Sequence, residues 1–216
     1  MAYNFTSASS QYLSTNSTSV SNFPCTLACW YRVVNNATAH ALVTLQDAGA
    51  SSRFQLSVNP AASRAVQAAV FDSSNSVGII GQFISTHSAN TWYHSCGVFP
   101  QAGQVEAYFN GNIGTTFGSG ALTVSGIDQV LIGMRTAAGT NGFFMNGLIA
   151  EVGVWNAALT QPEIASLAKG MTCDKIRPQN LVFYAPLIRD LQDIKGSLTI
   201  TNNNGATVTN HPRIYS

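Results

Sequence analysis

Charge is the first thing this sequence lacks. Only 9% of its 216 residues are Asp, Glu, Lys or Arg, against roughly 25% in an average soluble domain. Ten basic and nine acidic residues leave a formal charge of +1. The basic residues, from Arg32 to Arg213, are scattered, with no run or stripe to suit a phosphate backbone, which argues against nucleic acid as a partner. Long hydrophobic runs are missing too. The longest are a few residues, far short of the ~20 that a membrane helix needs, so no membrane partner is expected. The opening stretch, MAYNFTSASS, has neither a basic n-region nor an apolar h-region, so no signal peptide is expected.

Signatures of catalysis are absent as well. There is no G-x-S-x-G elbow, H-E-x-x-H, P-loop or G-x-G-x-x-G, and His40, His87, His94 and His211 stand apart. Glycoside hydrolysis needs two carboxylates about 5–9.5 Å apart, and no strand-like segment carries two acids. Asp190 and Asp193, in RDLQD, are close in sequence and read as turn or surface residues. The expectation is no enzyme and no catalytic residue. A polysaccharide-degrading enzyme with a site assembled from scattered residues is the competing alternative. Oxygen-rich calcium sites need several converging carboxylates and carbonyls, and only Asp47, Asp128 and Glu151 merit a check. No metal or other cofactor is expected.

Disulfide and zinc spacings are missing. No C-x-x-C occurs. Cys25 and Cys29 lie on one strand-like segment, where their Cα atoms would be about 13 Å apart, beyond disulfide reach. Buried free thiols are the expectation for all four cysteines, with a Cys96–Cys173 bridge as the remaining option.

What fills the chain instead is 22 Ser, 19 Thr, 18 Asn and 18 Gly, with 7 Pro. A 45% hydrophobic content with 11 Phe, 7 Tyr and 3 Trp supplies a core, so the chain is not the aromatic-poor kind that stays disordered. Strand signals recur between Gly/Ser/Asn/Pro clusters. In CTLACWYRV the alternation sets Cys25, Leu27, Cys29 and Tyr31 on one face, Thr26, Ala28, Trp30 and Arg32 on the other. HALVTLQD, RFQLSV, AVQAAVFD and TWYHSCGVF follow. In VEAYFNG, Val105, Ala107 and Phe109 share a face opposite Glu106 and Tyr108. Asn110-Gly111 signals a type I′ hairpin, and Asn146-Gly147 is expected to turn the chain in the same way.

One segment reads as helix. In ALTQPEIASLAKG, Thr160 and Glu163 form a capping box, Pro162 sits in the first turn, and Gly170 suits the C′ position. Ile164, Leu167 and Ala168 form its apolar stripe. LVFYAPL is a further strand that Pro186 places at an edge or strand end. The tail holds two short β-rich pieces. The expected fold is all-β: an antiparallel β-sandwich with one short α-helix near residues 161–169. It forms one domain over 1–216, its C-terminal strands (about 181–215) closing on the N-terminal ones. Trp30, Trp92 and Trp155 read as core packing rather than sugar-stacking platforms, and His94 as a hydrogen-bonded strand residue rather than a ligand. The N-x-S/T triplets at Asn4, Asn16 and Asn36 are chance products of composition.

The stretch FFMNGLIAEVGVWNAALTQPEIASL resembles the laminin-G-like, pentraxin-like jelly rolls of the concanavalin A-like lectin/glucanase superfamily. Gly147, Ile149, Glu151, Val152, Val154, Trp155, Asn156, Leu159, Glu163 and Ile164 match its pattern. FPCTLACWYRV resembles the early Trp strand, TWYHSCGVF the W-x-H strand, EAYFNG the hairpin and VLIG the strand after it. The resemblance covers roughly residues 3–170 and implies a jelly roll. Ala150 stands where many relatives carry Asp, and the carboxylates of the glucanase branch are missing, so no metal or catalytic residue is carried over. The tail resembles endings of small stand-alone members encoded by bacteriophages. The role this implies is a non-enzymatic virion structural or capsid decoration protein, made in the host cytoplasm. It would contact other capsid or tail proteins, associate with itself and aid attachment to surface glycans. A carbohydrate-binding lectin module is the alternative.

Overall fold

Apolar residues at alternate positions of many short segments can be buried only if the segments pair into sheets and the sheets stack. The computed structural model describes residues 2–35, 38–49, 52–59, 64–72, 77–117 and 122–210; Asn36, His211 and Arg213 lie outside them. With strands numbered along the chain, one antiparallel sheet contains β1 (Ala2–Phe5), β3 (Cys25–Val33), β8 (Tyr93–Gln101), β9 (Gln104–Phe109), β10 (Asn112–Ile113), β15 (Gly147–Trp155), β16 (Leu181–Ala185) and β18 (Thr207–Thr209). The other contains β2 (Tyr12–Ser14), β4 (His40–Gln46), β5 (Arg53–Asn59), β6 (Arg64–Phe71), β7 (Val77–Ile84), β11 (Thr115–Phe117), β12 (Gln129–Ile132) and β17 (Thr201–Asn203). A small hairpin, β13 (Arg135–Ala137) and β14 (Thr140–Gly142), stands apart.

The main core lies between the sheets, where Cys25, Leu27, Cys29 and Tyr31 of β3 meet Phe54, Leu56 and Val58 of β5. Val105, Ala107 and Phe109 of β9 join them as the alternation requires. The other face of β3 behaves differently along its length: Ala28 enters a second cluster and Trp30 packs on a third. All four cysteines are buried free thiols, Cys96 and Cys173 included. Asn110 (φ 48°) and Gly111 (φ 82°) form the expected turn between β9 and β10. Asn146-Gly147 does not turn the chain. Gly147 opens β15 paired to Val33, and a Cβ there would fall 2.1 Å from the Arg32 carbonyl oxygen. The glycine serves close backbone approach rather than a hairpin.

The second cluster explains the helix α1 (Gln161–Ala168). The Thr160 backbone N–H donates to Glu163 Oε2 at 2.7 Å, and the Arg177 guanidinium reaches the same carboxylate through Nε (2.9 Å) and Nη2 (2.7 Å). At the other end Gly170 (φ 98°) donates to the Leu167 carbonyl and Met171 to that of Ser166, the paired bonds of a Schellman stop. Ile164 and Leu167 are buried against Cys96, Val98, Tyr108 and Trp155, on the outer face of the first sheet. This is the helix-side sheet; the other is termed the groove-side sheet.

Trp155 is fully buried here and its indole N–H donates to the Ile176 carbonyl at 2.8 Å. Core packing is therefore right for Trp155 and not for the other two tryptophans. Trp30 and Trp92 are half-buried on the outer face of the helix-side sheet, against Ala2, Leu148 and Ala150. His94, opposite Trp30, is buried, and its hydrogen bonds run through its backbone to Asn110. Its ring Nδ1 has no partner among the described residues.

Three outcomes follow. Glu163→Ala removes both the cap and the ion pair, at a cost of about 2 kcal/mol and a Tm loss of about 4–8 °C; an unchanged Tm in a calorimetric scan would show that Ile164 and Leu167 hold the helix alone. Gly153→Ala places a Cβ 2.5 Å from the Trp155 ring and 2.8 Å from Cys173 Sγ. Overpacking by about 1–3 kcal/mol is expected, read as a fall in the urea midpoint. Burial, with His40 nearby, lowers the His87 pKa to about 4, and burial lowers that of His94 to about 3. Below the unfolded value of about 6.5 the unfolded chain takes up protons that the folded chain refuses, so stability present above that pH is lost as pH falls. Tm should decline between about pH 6.5 and pH 5, before most carboxylates titrate; a flat profile there contradicts the burial of both rings.

Candidate functional site

The outward positions of the groove-side sheet are mainly polar, while their neighbours fill the core, and Thr44, Gln46, Arg53, Gln55 and Ser57 among them are themselves buried. The register lines them up in rows across the strands. Gln129 lies beside Gln46, Gln46 beside Arg53, and Arg53 beside Phe71. The next row runs Ser14, Leu131, Thr44, Gln55, Ala69. A third joins Ser57, Gln67 and Gln82. Along β5 the polar side chains link to one another: Arg53 Nε donates to Gln55 Oε1 (3.3 Å) and Gln55 Nε2 to Ser57 Oγ (3.1 Å).

Over this array lies the β13–β14 hairpin. Its turn, Ala138-Gly139, has positive φ at both residues (47° and 72°), the type I′ geometry. The Thr136 N–H donates to Gln46 Oε1 at 3.1 Å, and the Thr44 hydroxyl to the Met134 carbonyl at 3.3 Å. The hairpin thus forms a ridge with a groove on each side. One groove, about 390 Å³, is lined by Tyr12, Ser14, Gln129, Thr136, Asn141 and Asn203 among others. The second, about 370 Å³, is lined by Arg53, Gln55, Gln67, Phe71, Arg135 and Phe143 among others.

The second groove is electropositive. The Arg53 guanidinium lies 3.5 Å above the Phe71 ring centre, and that of Arg135 lies 3.9 Å from the centre of Phe143. Burial, then repulsion from Arg135, pushes the Arg53 pKa down to about 10 against the attraction of Asp47. Burial lowers that of Arg135 as well. Both stay cationic at neutral pH.

The acids singled out in the sequence are not gathered here. Asp47 and Asp128 sit on neighbouring segments at one end of the groove-side sheet: Asp47 Oδ1 accepts from the Ser52 N–H at 2.8 Å, and the Asp128 N–H donates to the Gln46 carbonyl. Glu151 lies in the other sheet, buried, accepting from the Tyr184 hydroxyl, whose pKa burial raises. Among the described residues no three His, Cys, Asp or Glu side chains converge as a metal site would require. Asp190 is exposed, while Asp193 is buried and not at the surface. The Asp193 carboxylate accepts the backbone N–H groups of Tyr184, Lys195, Gly196 and Leu198, which organises the turn after β16. The groove residues were not singled out by sequence, because no local motif joins positions drawn from eight strands. The alternation of RFQLSV, with Arg53, Gln55 and Ser57 on one face, was the available signal.

A laminin-G-type family model, that of the concanavalin A-like lectin/glucanases superfamily, matches residues 7–165. No curated protein sequence matches the chain. Among solved structures, it is similar to a heptameric SAP-like pentraxin from Limulus polyphemus (TM-score 0.62, 16% identity, 91% of this chain and 87% of that one). It is also similar to a putative carbohydrate-binding protein from Bacteroides ovatus (0.63, 18%, 97% and 61%). A third is the sialidase module CBM40 of Ruminococcus gnavus bound to α2,3-sialyllactose (0.58, 15%, 68% and 84%). These likenesses agree with the two antiparallel sheets and the one short α-helix found among the described residues. With its match extending over most of its length, the chain belongs to the concanavalin A-like lectin/glucanases superfamily.

Proposed function

We propose that this protein is a non-enzymatic carbohydrate-binding jelly roll that takes a glycan across the outer face of its groove-side sheet. The observation that carries this reading is the set of exposed and half-buried amides and hydroxyls, among them Gln67, Gln129, Thr136, Asn141 and Asn203, that line the grooves flanking the β13–β14 ridge. Sugars offer hydroxyls that both donate and accept, and Gln and Asn side chains answer both functions. Phe71, Phe143 and Tyr12 supply apolar surface for sugar C–H faces. All nine acids are among the described residues, and none lines either groove. That supports binding without hydrolysis, since the two-carboxylate mechanism has no reagents there. The glycan-related names of two similar structures lend further support.

A finer reading places this module on a virion, as a decoration protein that associates with capsid or tail proteins. It is supported by the charge-poor, Ser/Thr/Asn-rich composition. Long charged side chains lose up to ~2 kcal/mol of rotamer entropy when ordered, and Lys and Glu are depleted at interfaces. Mass spectrometry of purified particles from the source should then find the protein at high copy number; its absence from them would discard the virion placement and leave the glycan reading standing.

The glycan reading has its own test. Purified protein, titrated with neutral and acidic polysaccharides of plant, algal and bacterial type, should bind at least one without releasing new reducing ends. In amide-resolved NMR the moving side-chain signals should be those of Gln67, Gln129 and Asn141. Depolymerisation, or shifts confined to Trp30 and Trp92 on the opposite face, would contradict the assignment.

A further inference from the structure

We infer that the groove beside Tyr12 and Asn141 takes a neutral oligosaccharide laid lengthwise along β2 and β17, a chain of linked sugars rather than a single unit. This rests on the carbohydrate-binding reading and specifies its ligand. The two sides of the β13–β14 ridge are unequal. On the Arg53 side, Arg53, Gln55 and Ser57 are buried and Gln55 bonds to both of the others, so fewer groups remain to answer a ligand. On the Tyr12 side, Asn16, Asn141 and Thr201 are exposed, and Tyr12, Ser14, Gln129 and Asn203 are half-buried.

Strand pairing gives this side its length. Tyr12 lies opposite Asn203 and Ser14 opposite Thr201, so alternate residues of the two strands form side-by-side rows on the outer face. One alternation further, Asn16 and Thr199 line a second depression of about 410 Å³ together with Ser17 and Ser197. Asn16 and Thr201 line both depressions, which therefore adjoin as one trough. At ~3.3 Å per residue, the floor from Tyr12 to Asn16 spans up to about 13 Å, and Ser17 and Ser197 carry it further. A ligand that fills both depressions is a chain.

The polarity of the trough is set in advance. The Thr136 hydroxyl donates to Asn141 Oδ1 at 2.8 Å, which leaves the Asn141 Nδ2 group as a donor to a ligand. Asn203 Nδ2 donates to Ser14 Oγ (2.9 Å) and to the Thr201 carbonyl (3.3 Å), which leaves its Oδ1 as an acceptor. The Asn16 amide and the Tyr12 hydroxyl hold no hydrogen bond among the described residues. Donors and acceptors fixed side by side suit sugar hydroxyls, which need both, and their prior order limits the entropy lost on binding. The Tyr12 ring adds a face for sugar C–H groups. No Asp, Glu, Lys or Arg lines either depression. A carboxylate or sulfate would leave water there with no countercharge to meet it, and the trough thereby selects neutral sugars.

Calorimetric titration decides the matter, with gluco-, manno-, xylo- and galacto-oligosaccharides graded from monosaccharide to hexasaccharide, and with uronate and sulfated oligomers beside them. At least one neutral series should bind, its affinity rising at least about tenfold from monosaccharide to tetrasaccharide and changing little with salt. Tyr12→Ala should weaken tetrasaccharide binding about 3- to 10-fold. Asn16→Ala should weaken it about 2- to 10-fold with Tm unchanged, because Asn16 holds no bond within the fold. A monosaccharide that binds as tightly as its tetrasaccharide overturns the lengthwise trough and leaves the carbohydrate reading standing. Binding confined to the acidic oligomers, and lost as salt rises, overturns neutral selection with the same effect. Full affinity in both Tyr12→Ala and Asn16→Ala places the glycan elsewhere and overturns the assignment. Failure of neutral and acidic glycans alike removes both readings.

Discussion

Glu151, in the left-handed region at φ 53°, inserts one extra residue into β15 where its pairing with β3 slips between Ala150 and Gly153. A bulge of this kind shifts the side-chain alternation by one. Before it, Ile149 points into the main core and Ala150 outward; after it, Val152 and Val154 point in and Trp155 points out. Without the bulge Trp155 would face the core, and the outer cluster that seats α1 would lose its largest member. The same residue marks a change of neighbour. Residues Gly147–Ile149 pair with β1, while Val152–Trp155 pair with β16. Glu151 is therefore an architectural carboxylate, held by Tyr184, and its place in the family-like pattern reflects backbone geometry.

The two outer faces of the sandwich are built on opposite terms. On the helix side a second apolar cluster is roofed by α1 and by the turn around Cys173. On the groove side, polar residues such as Thr44, Gln46, Arg53 and Gln55 are buried. Buried polar groups are tolerable only when their hydrogen bonds are met, and here the hairpin backbone and the side-chain chain along β5 do much of that. Such a surface is ordered before any ligand arrives, which limits the entropy lost on binding.

How much of this was legible in the sequence depended on the range of the interaction. The capping box at Thr160 and Glu163, the Asn110-Gly111 turn and the parity of β3 are decided within a few residues, and the structure reproduces them. Asn146-Gly147 carries the same dipeptide, yet a close approach to Arg32 across the sheet decides its conformation. The β13–β14 hairpin escaped notice because its strands have three residues each and an alanine occupies a left-handed turn position. Trp30 and Trp155 share strand-like surroundings in sequence, and only the pairing of sheets and helix separates a half-exposed ring from a buried one. The grooves were invisible for the same reason: Arg53 and Arg135 meet only once β4, β5 and the hairpin are assembled.

The pairing of the first strands has a consequence for how the molecule is made. Tyr3 lies opposite Ile149 and Val208, and Leu13 opposite Ile132 and Asn202. Each early strand is thus bracketed by segments that leave the ribosome more than a hundred residues later. Contacts this distant along the chain make folding slow, because loop closure must precede the pairing that rewards it. While β15 and β12 are still being synthesised, β1 and β2 have no native partner, and their edges can pair with other chains. The low charge of the sequence offers little electrostatic protection during that interval, so the yield of folded protein should depend on how fast translation finishes and on the chaperones present meanwhile.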